Sequence, residues 1–408
     1  MLTRRNFLQR VPLVALAPHV PAFLAQTAMA AGADRDERIL VVVQLEGGND
    51  GLNTVVPFGD DGYARNRRQL RLPADRLIRV GDGVGLHPRM IEIGQKFDDG
   101  QVAIVQGVGY PNPSRSHFRS MAIWQSGNLD AIEGVTSAGW LGESVGQKSR
   151  ASQAKLGADI IYVGGGDVPV ACRGRRCTSI AMTDASEMTL RDGTGTVENR
   201  GNSQGDSVAT SSDREDVSSF VNQSVLQAYA SAQEVAMLSD ARSASAQFGS
   251  QLNAQLQWIA DMIKAGAGAR VYYTSQPGYD THANQLSQHA GLLGDLSQST
   301  AAFVGTLRDA GLGDQVLVMV FSEFGRRVEE NGSEGTDHGT AGPVFLIGDA
   351  VHGGLHGASP SLDDLEDGDL KFEMDFRNIY ATVIDRWLDV PRPDSLLGIE
   401  PLDGVLKG

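Results

Sequence analysis

The sequence predicts an α/β protein with a mostly parallel sheet flanked by helices. Three observations carry that expectation: short Val/Ile-rich runs recur along the chain, helical patterns separate them, and the runs are near-continuously apolar rather than alternating. Continuous runs of this kind read as strands buried on both faces, and their alternation with helices is the pattern of a doubly wound sheet.

The strand candidates are ILVVVQL at 39–45, QVAIVQG at 101–107, DIIYVGG at 159–165, RVYYTSQ at 270–276, QVLVMVFS at 315–322 and GPVFLIG at 342–348. Between them, HFRSMAIWQSG, the stretch from about Val217 to Lys264 and LSQSTAAFVGTLRDAG carry helical spacing. An apolar fraction of 41% gives the chain ample material for a core. The segment 183–215 is nearly devoid of large apolar residues and rich in Gly, Ser, Thr, Asn and Asp. It is expected to be a mobile polar excursion from a single domain spanning 31–408. A P-loop is absent from the sequence, and no G-x-G-x-x-G follows a strand candidate.

Ahead of the first strand lies a three-part leader: MLTRRNFLQR with Arg4 and Arg5, the apolar run VPLVALAPHVPAFLA, and small residues in TAMAAGA. The arginine pair followed by Asn6, Phe7 and Leu8 matches the twin-arginine export consensus, with a cleavage site at Ala28-Met29-Ala30. Pro12, Pro18, His19 and Pro21 interrupt the apolar run and leave it short of the ~20 residues of a membrane span. The expected destination is periplasmic or secreted, the expected partner during export is the twin-arginine translocase, and no stable membrane anchor is expected. Without residues 1–30, 32 basic residues face 50 acidic ones, a net charge of −18. Such a surface disfavours nucleic acid and anionic lipid as partners. Cys172 and Cys177, in ACRGRRC, are expected to close a small loop by a disulfide in an oxidising compartment.

Ligands of open parallel sheets collect at the carboxyl ends of the strands. The residues there are acidic and histidine-bearing: Asp50 and Asn53 after the first run, Asp280 and His282 after RVYYTSQ, Glu323 and Arg326 after QVLVMVFS, and Asp337 and His338 just before GPVFLIG. Each has an ordinary reading, since Asp50 suits a helix cap, His282 an interior position, and Glu323 a pair with Arg326 or Arg327. Together they offer the oxygen and nitrogen donors, without thiolate, that suit zinc or manganese. The helix candidate opening at PNPSRSHFR adds Ser116 and His117 as catalytic candidates, with Ser116 read either as a nucleophile or as a cap, and Arg115 as an anion binder.

LEGGNDGLNTVVP, LHPRM, YPNPSRSHFRSMAIWQSG, GYDTHANQ, SEFGRR, TDHGTAGP and DFRNIYATVIDRWL resemble the bacterial domain-of-unknown-function 1501 family, over nearly the whole chain past the leader. That family is in turn similar to the alkaline phosphatase and sulfatase superfamily. The resemblance implies an alkaline phosphatase-like sandwich and a metal centre hydrolysing phosphate or sulfate esters of a small-molecule or envelope substrate. It implies metal ligands at Asp50, Asp280, His282, Glu323 and His338; Asn53 and Arg326 at the strand ends and Arg115 at the helix start are the expected substrate contacts. Two departures stand out: Phe324 occupies the place of a ligating histidine, and Pro111 the place of the cysteine that sulfatases modify. The alternative is a degenerate relative acting as an envelope binding or assembly protein.

Overall fold

The computed structural model describes residues 38–151, 154, 156–184, 187–192, 195–196 and 250–407. Residues 1–30, with the leader and its arginine pair, lie outside them. Among the described residues no helix is long and apolar enough to cross a membrane.

All six strand candidates are strands. In chain order the sheet is built from β1 (Ile39–Glu46), β2 (Val102–Gly109), β3 (Ile160–Val163), β4 (Ser179–Asp184), β5 (Glu187–Asp192), β6 (Val271–Pro277), β7 (Val316–Ser322), β8 (Gly342–Ile347) and β9 (Gly354–His356). Across the sheet the order is β9, β2, β8, β7, β1, β6, β3, β4, β5. β1 runs parallel to both neighbours, with Leu40 opposite Val271 and Ile39 opposite Val316. β8 alone among the central strands runs against the rest, pairing antiparallel with β7 and β2.

Burial on both faces explains the continuous apolar runs. Leu40 and Val42 face one layer, with Ile123, Trp124, Ile379 and Tyr380, while Val41 and Val43 face the other, with Leu256, Ile259, Phe303 and Leu307. These side chains are almost fully buried, each worth about 1.5–3 kcal/mol of transfer free energy. The helices supplying them are α1 (His117–Ser126), α2 (Gln251–Lys264), α3 (Gln285–Asp309) and α4 (Phe376–Thr382). α1 stops at Gly127, whose φ of 72° is the left-handed turn that ends a helix, with its N–H on Ile123 O. α2 starts on a Ser250 cap that accepts from Asn253 N, and α4 on an Asp375 cap that accepts from Arg377 N.

Two expectations need correction. The described part of the polar stretch does not leave the sheet: β4 continues to Asp184 parallel to β3, and β5 turns back antiparallel to it. Strand pairing there rests on backbone hydrogen bonds, which a polar sequence supplies as well as an apolar one. Residues 197–215 lie outside the described residues. Cys172 and Cys177 are both free, not bridged. Cys172 is buried in the core, Cys177 Sγ lies 3.5 Å from Ser179 Oγ, and the loop between them packs its backbone against Gly142 and Gly146. Burial pushes the Cys172 thiol well up and that of Cys177 up to about 12.

Candidate metal centre

Four strand ends meet at one edge of the sheet. The loop after β1 carries Gly47 and Gly48 at φ of 116° and 79°, and it passes so close to its neighbours that a Cβ on Gly47 would sit 2.4 Å from Asp280 N. A Cβ on Gly48 would sit 2.2 Å from the Phe324 ring. Only glycine fits there. Asp280 and His282 follow β6, Glu323 follows β7, and His117 opens α1 beyond the end of β2. His338 precedes β8 and reaches the same edge because β8 is antiparallel; an isolated bridge to Arg326 pins it there.

Three imidazoles converge on one carboxylate oxygen. Asp280 Oδ1 lies 3.0 Å from His282 Nε2, 3.1 Å from His338 Nε2 and 3.6 Å from His117 Nε2. The ligand atoms of His117, Asp280 and His338 all fall within 4.8 Å of one another, and His282 Nε2 is 2.9 Å from His338 Nε2. His117 Nε2 is buried and has no hydrogen-bond partner. On the far side of each ring, Nδ1 faces an acceptor: Glu323 Oε1 at 2.9 Å for His117, Asp337 Oδ1 at 3.2 Å for His282, and the Arg115 carbonyl at 2.8 Å for His338.

These acceptors place the proton of each neutral ring on Nδ1, so all three Nε2 atoms present lone pairs to the same point. Two bare nitrogens at 2.9 Å repel unless a proton or a cation lies between them. Three oriented imidazoles with acceptors behind them, plus a carboxylate, are the arrangement by which proteins hold a divalent ion. The donor set fits such an ion.

The charges around the cluster are fixed by buried groups. Arg326, with a fully buried side chain, donates to Asp280 Oδ1 at 2.7 Å, to Thr336 O at 2.7 Å and to Gly48 O at 2.7 Å. Burial would raise the Asp280 carboxyl, but the hydrogen bond from Arg326 and the charge of its guanidinium bring it down to about 2. The Glu323 hydrogen bond raises His117, against the opposing effect of burial. Phe324 backs the cluster, its ring 4.9 Å from those of His117 and His338. The position expected to ligate thus forms an apolar wall.

The structure separates the remaining candidates. Asp50 is not with the cluster. Its carboxylate is fully buried against Arg67, with Nη1–Oδ2 at 2.5 Å and Nη2–Oδ1 at 3.0 Å, and it also accepts from Gln285 Nε2. Burial pushes this carboxyl up, and Arg67 more than offsets it. Asn53 is equally structural, bonding Leu70 O and the Tyr63 hydroxyl. Glu323 holds His117 and accepts from Gly47 N and the Ser322 hydroxyl instead of pointing at the common centre. Arg326 is committed to backbone carbonyls and Asp280. Ser116 sits exposed at the N-cap of α1 without a side-chain cap bond. Arg115 pairs with Asp369, Nε–Oδ2 at 2.6 Å, and lines a cleft of about 480 Å³ with Tyr110, Thr340, Asp369 and Phe372. His117 as a donor to the centre, and Arg67 as the partner of Asp50, had no signal in spacing, because both depend on which loops meet.

The model of the family described as "Protein of unknown function (DUF1501)" matches residues 37–389. No curated protein matches the chain. Solved structures similar to it include the PsFucS1 sulfatase from a Pseudoalteromonas species, with a TM-score of 0.40 and 10% identity over 93% of this chain and 73% of that one. Others are the lipoteichoic acid synthase LtaP from Listeria monocytogenes, at 0.34 and 11% over 91% and 76%, and a protein in the alkaline phosphatase superfamily from Vibrio parahaemolyticus, at 0.41 and 8% over 90% and 69%. Likeness at this level carries no argument about chemistry.

Proposed function

We propose, for a chain that belongs to the DUF1501 family, an exported hydrolase of phosphate or sulfate esters that works with one divalent ion, zinc or manganese. One observation carries the reading: the Nε2 atoms of His117, His282 and His338 converge on Asp280 Oδ1, and every Nδ1 is held by an acceptor. When bound there, the ion supplies Lewis-acid polarisation of an ester oxygen.

The chain's own residues do the rest. Glu323, Asp337 and the Arg115 carbonyl hold the three rings in orientation. Arg326 keeps Asp280 ionised. Phe324 excludes water from one side, and the cleft beside Arg115 takes the remainder of the substrate. Ser116, exposed at the start of α1, is the candidate nucleophile.

A second reading, an envelope binding or assembly protein without catalysis, draws on Asp50 and Glu323 being engaged in structural pairs, which leaves a single-ion centre. Metal analysis of protein purified from its native compartment, with assays on nitrophenyl phosphate, bis-nitrophenyl phosphate and nitrophenyl sulfate, separates the two. A stoichiometric ion with turnover supports the hydrolase, and an ion without turnover, or no ion at all, supports the binding protein. Export is tested by replacing Arg4 and Arg5 with lysine, which should leave precursor in the cytoplasm.

A further inference from the structure

We propose that Arg115 is a positioning residue for the histidine cluster: anchored by Asp369, it holds the carbonyl that orients His338. The proposal rests on the metal-centre reading above. His338 is the ring whose Nδ1 partner is a main-chain carbonyl rather than a carboxylate, at 2.8 Å. That carbonyl belongs to the connection between β2 and α1, where Asn112 has a φ of 54° and residues 111–116 form neither helix nor strand. A carbonyl in such a loop is only as steady as the loop's own anchors.

One anchor is the Ser114 N–H on the Tyr110 hydroxyl, at 3.0 Å, and the other is the side chain of Arg115 itself. Arg115 Nε and Nη2 both reach Asp369 Oδ2, at 2.6 and 2.5 Å. The Asp369 side chain is 2% exposed, and its other oxygen lies 3.5 Å from Arg327 Nε, one residue from the buried Arg326. The next residue, Leu370, accepts the hydroxyl of Thr340, two positions after His338. The segment 369–370 is therefore tied through side chains to residue 115, whose carbonyl meets His338, and to residue 340, two positions beyond His338. A half-exposed arginine paired with a surface acid would contribute little. Here the acid is buried and held from a second side, so the guanidinium has one fixed seat.

The test uses the full mature chain, freed of metal and titrated with zinc against a competing chelator. Loss of groups that orient a metal-ligating histidine weakens binding by about 10–100-fold. Arg115→Ala and Asp369→Asn should each fall in that range. Because they cut the same path, the double variant should bind no more weakly than the worse single one. In ¹⁵N spectra of the metal-free protein, the His338 ring should change from a single Nδ1–H form to a mixture in Arg115→Ala. A general loss of folding would not produce that change at a single ring, and melting of the metal-free variants controls for it. Zinc affinity and a His338 tautomer unchanged in Arg115→Ala, while His338→Ala loses zinc, would overturn the proposal and leave the centre standing. Parent-like zinc binding by His338→Ala would remove the centre itself and the proposal with it.

Discussion

Two polar clusters sit at the same edge of the sheet, and they differ in how their hydrogen bonds close. Around Asp50, every donor has an acceptor. Arg67 spends its guanidinium on the carboxylate, Val328 O and Arg327 O; Gln285 bridges Asp50 to the Thr281 and Thr336 hydroxyls; and His289 meets Asn49. Around Asp280, three ring nitrogens face one oxygen, and one of them has no partner. The first cluster is complete without a cation, because the arginine is the cation. The second is not. The comparison teaches that acidity and histidine content do not mark a ligand site; leftover lone pairs do.

If this division is right, the first cluster governs stability and the second governs metal. The largest effect is expected from Arg67→Met, which leaves the Asp50 carboxylate buried and unpaired. Removing one partner of a buried pair costs about 3–5 kcal/mol, so urea unfolding of the metal-free chain should shift by that amount. Parent-like stability would show that Asp50 does not depend on its arginine.

Acid should act on the same side of the molecule. Burial holds His87 and His289 down to about 4, so both are neutral in the fold while the unfolded chain binds their protons from about pH 6.5 downward. Their contribution is present above pH 6.5 and is lost as pH falls towards 4, because the unfolded state then carries more protons. Urea midpoints should decline through that window. A flat profile between pH 6.5 and 4 contradicts the assignment.

His338→Ala sharpens the contrast from the other cluster. Losing one donor should weaken zinc binding by at least about 10–100-fold, with little change in the melting temperature of the metal-free protein. Zinc should raise the melting temperature of the parent, as any ligand of the native state does, and that of the variant by less at the same zinc concentration. Equal zinc stabilisation of both proteins would remove the shared centre. The smallest stability effect belongs to Ser116→Ala. With no cap bond to lose, stability should stay within about 0.5 kcal/mol of the parent. Loss of turnover with metal still bound would identify the nucleophile, and unchanged turnover would exclude Ser116.

The strands were legible because burial on both faces leaves a local record in each run, as Val41 and Val42 show by facing opposite layers. The direction of β8 was not legible, since an antiparallel strand has the same composition as a parallel one. The residues just before it nevertheless drew notice through His338. The site was readable in its elements, Asp280, His282 and His338, and unreadable in its wiring. Asp50 looked like a ligand because nothing in the sequence announces that Arg67 will be folded over it. Glu323 looked like one because its true partner, His117, is 206 positions away. Hydrogen-bond partners are set by tertiary contact, and a single sequence does not record them.

The position of β1 has a consequence for how the protein is made. The first strand of the sheet lies at its centre, and its neighbours arrive 231 and 277 positions later, from Val271 and Val316. The ribosome therefore releases this strand long before either flank exists, and it must wait, apolar on both sides, for most of the chain to be synthesised. Pairings so distant in sequence close slowly. Assembly of the centre is thus a late event in synthesis, and truncation anywhere before Ser322 should leave a product that cannot complete its sheet.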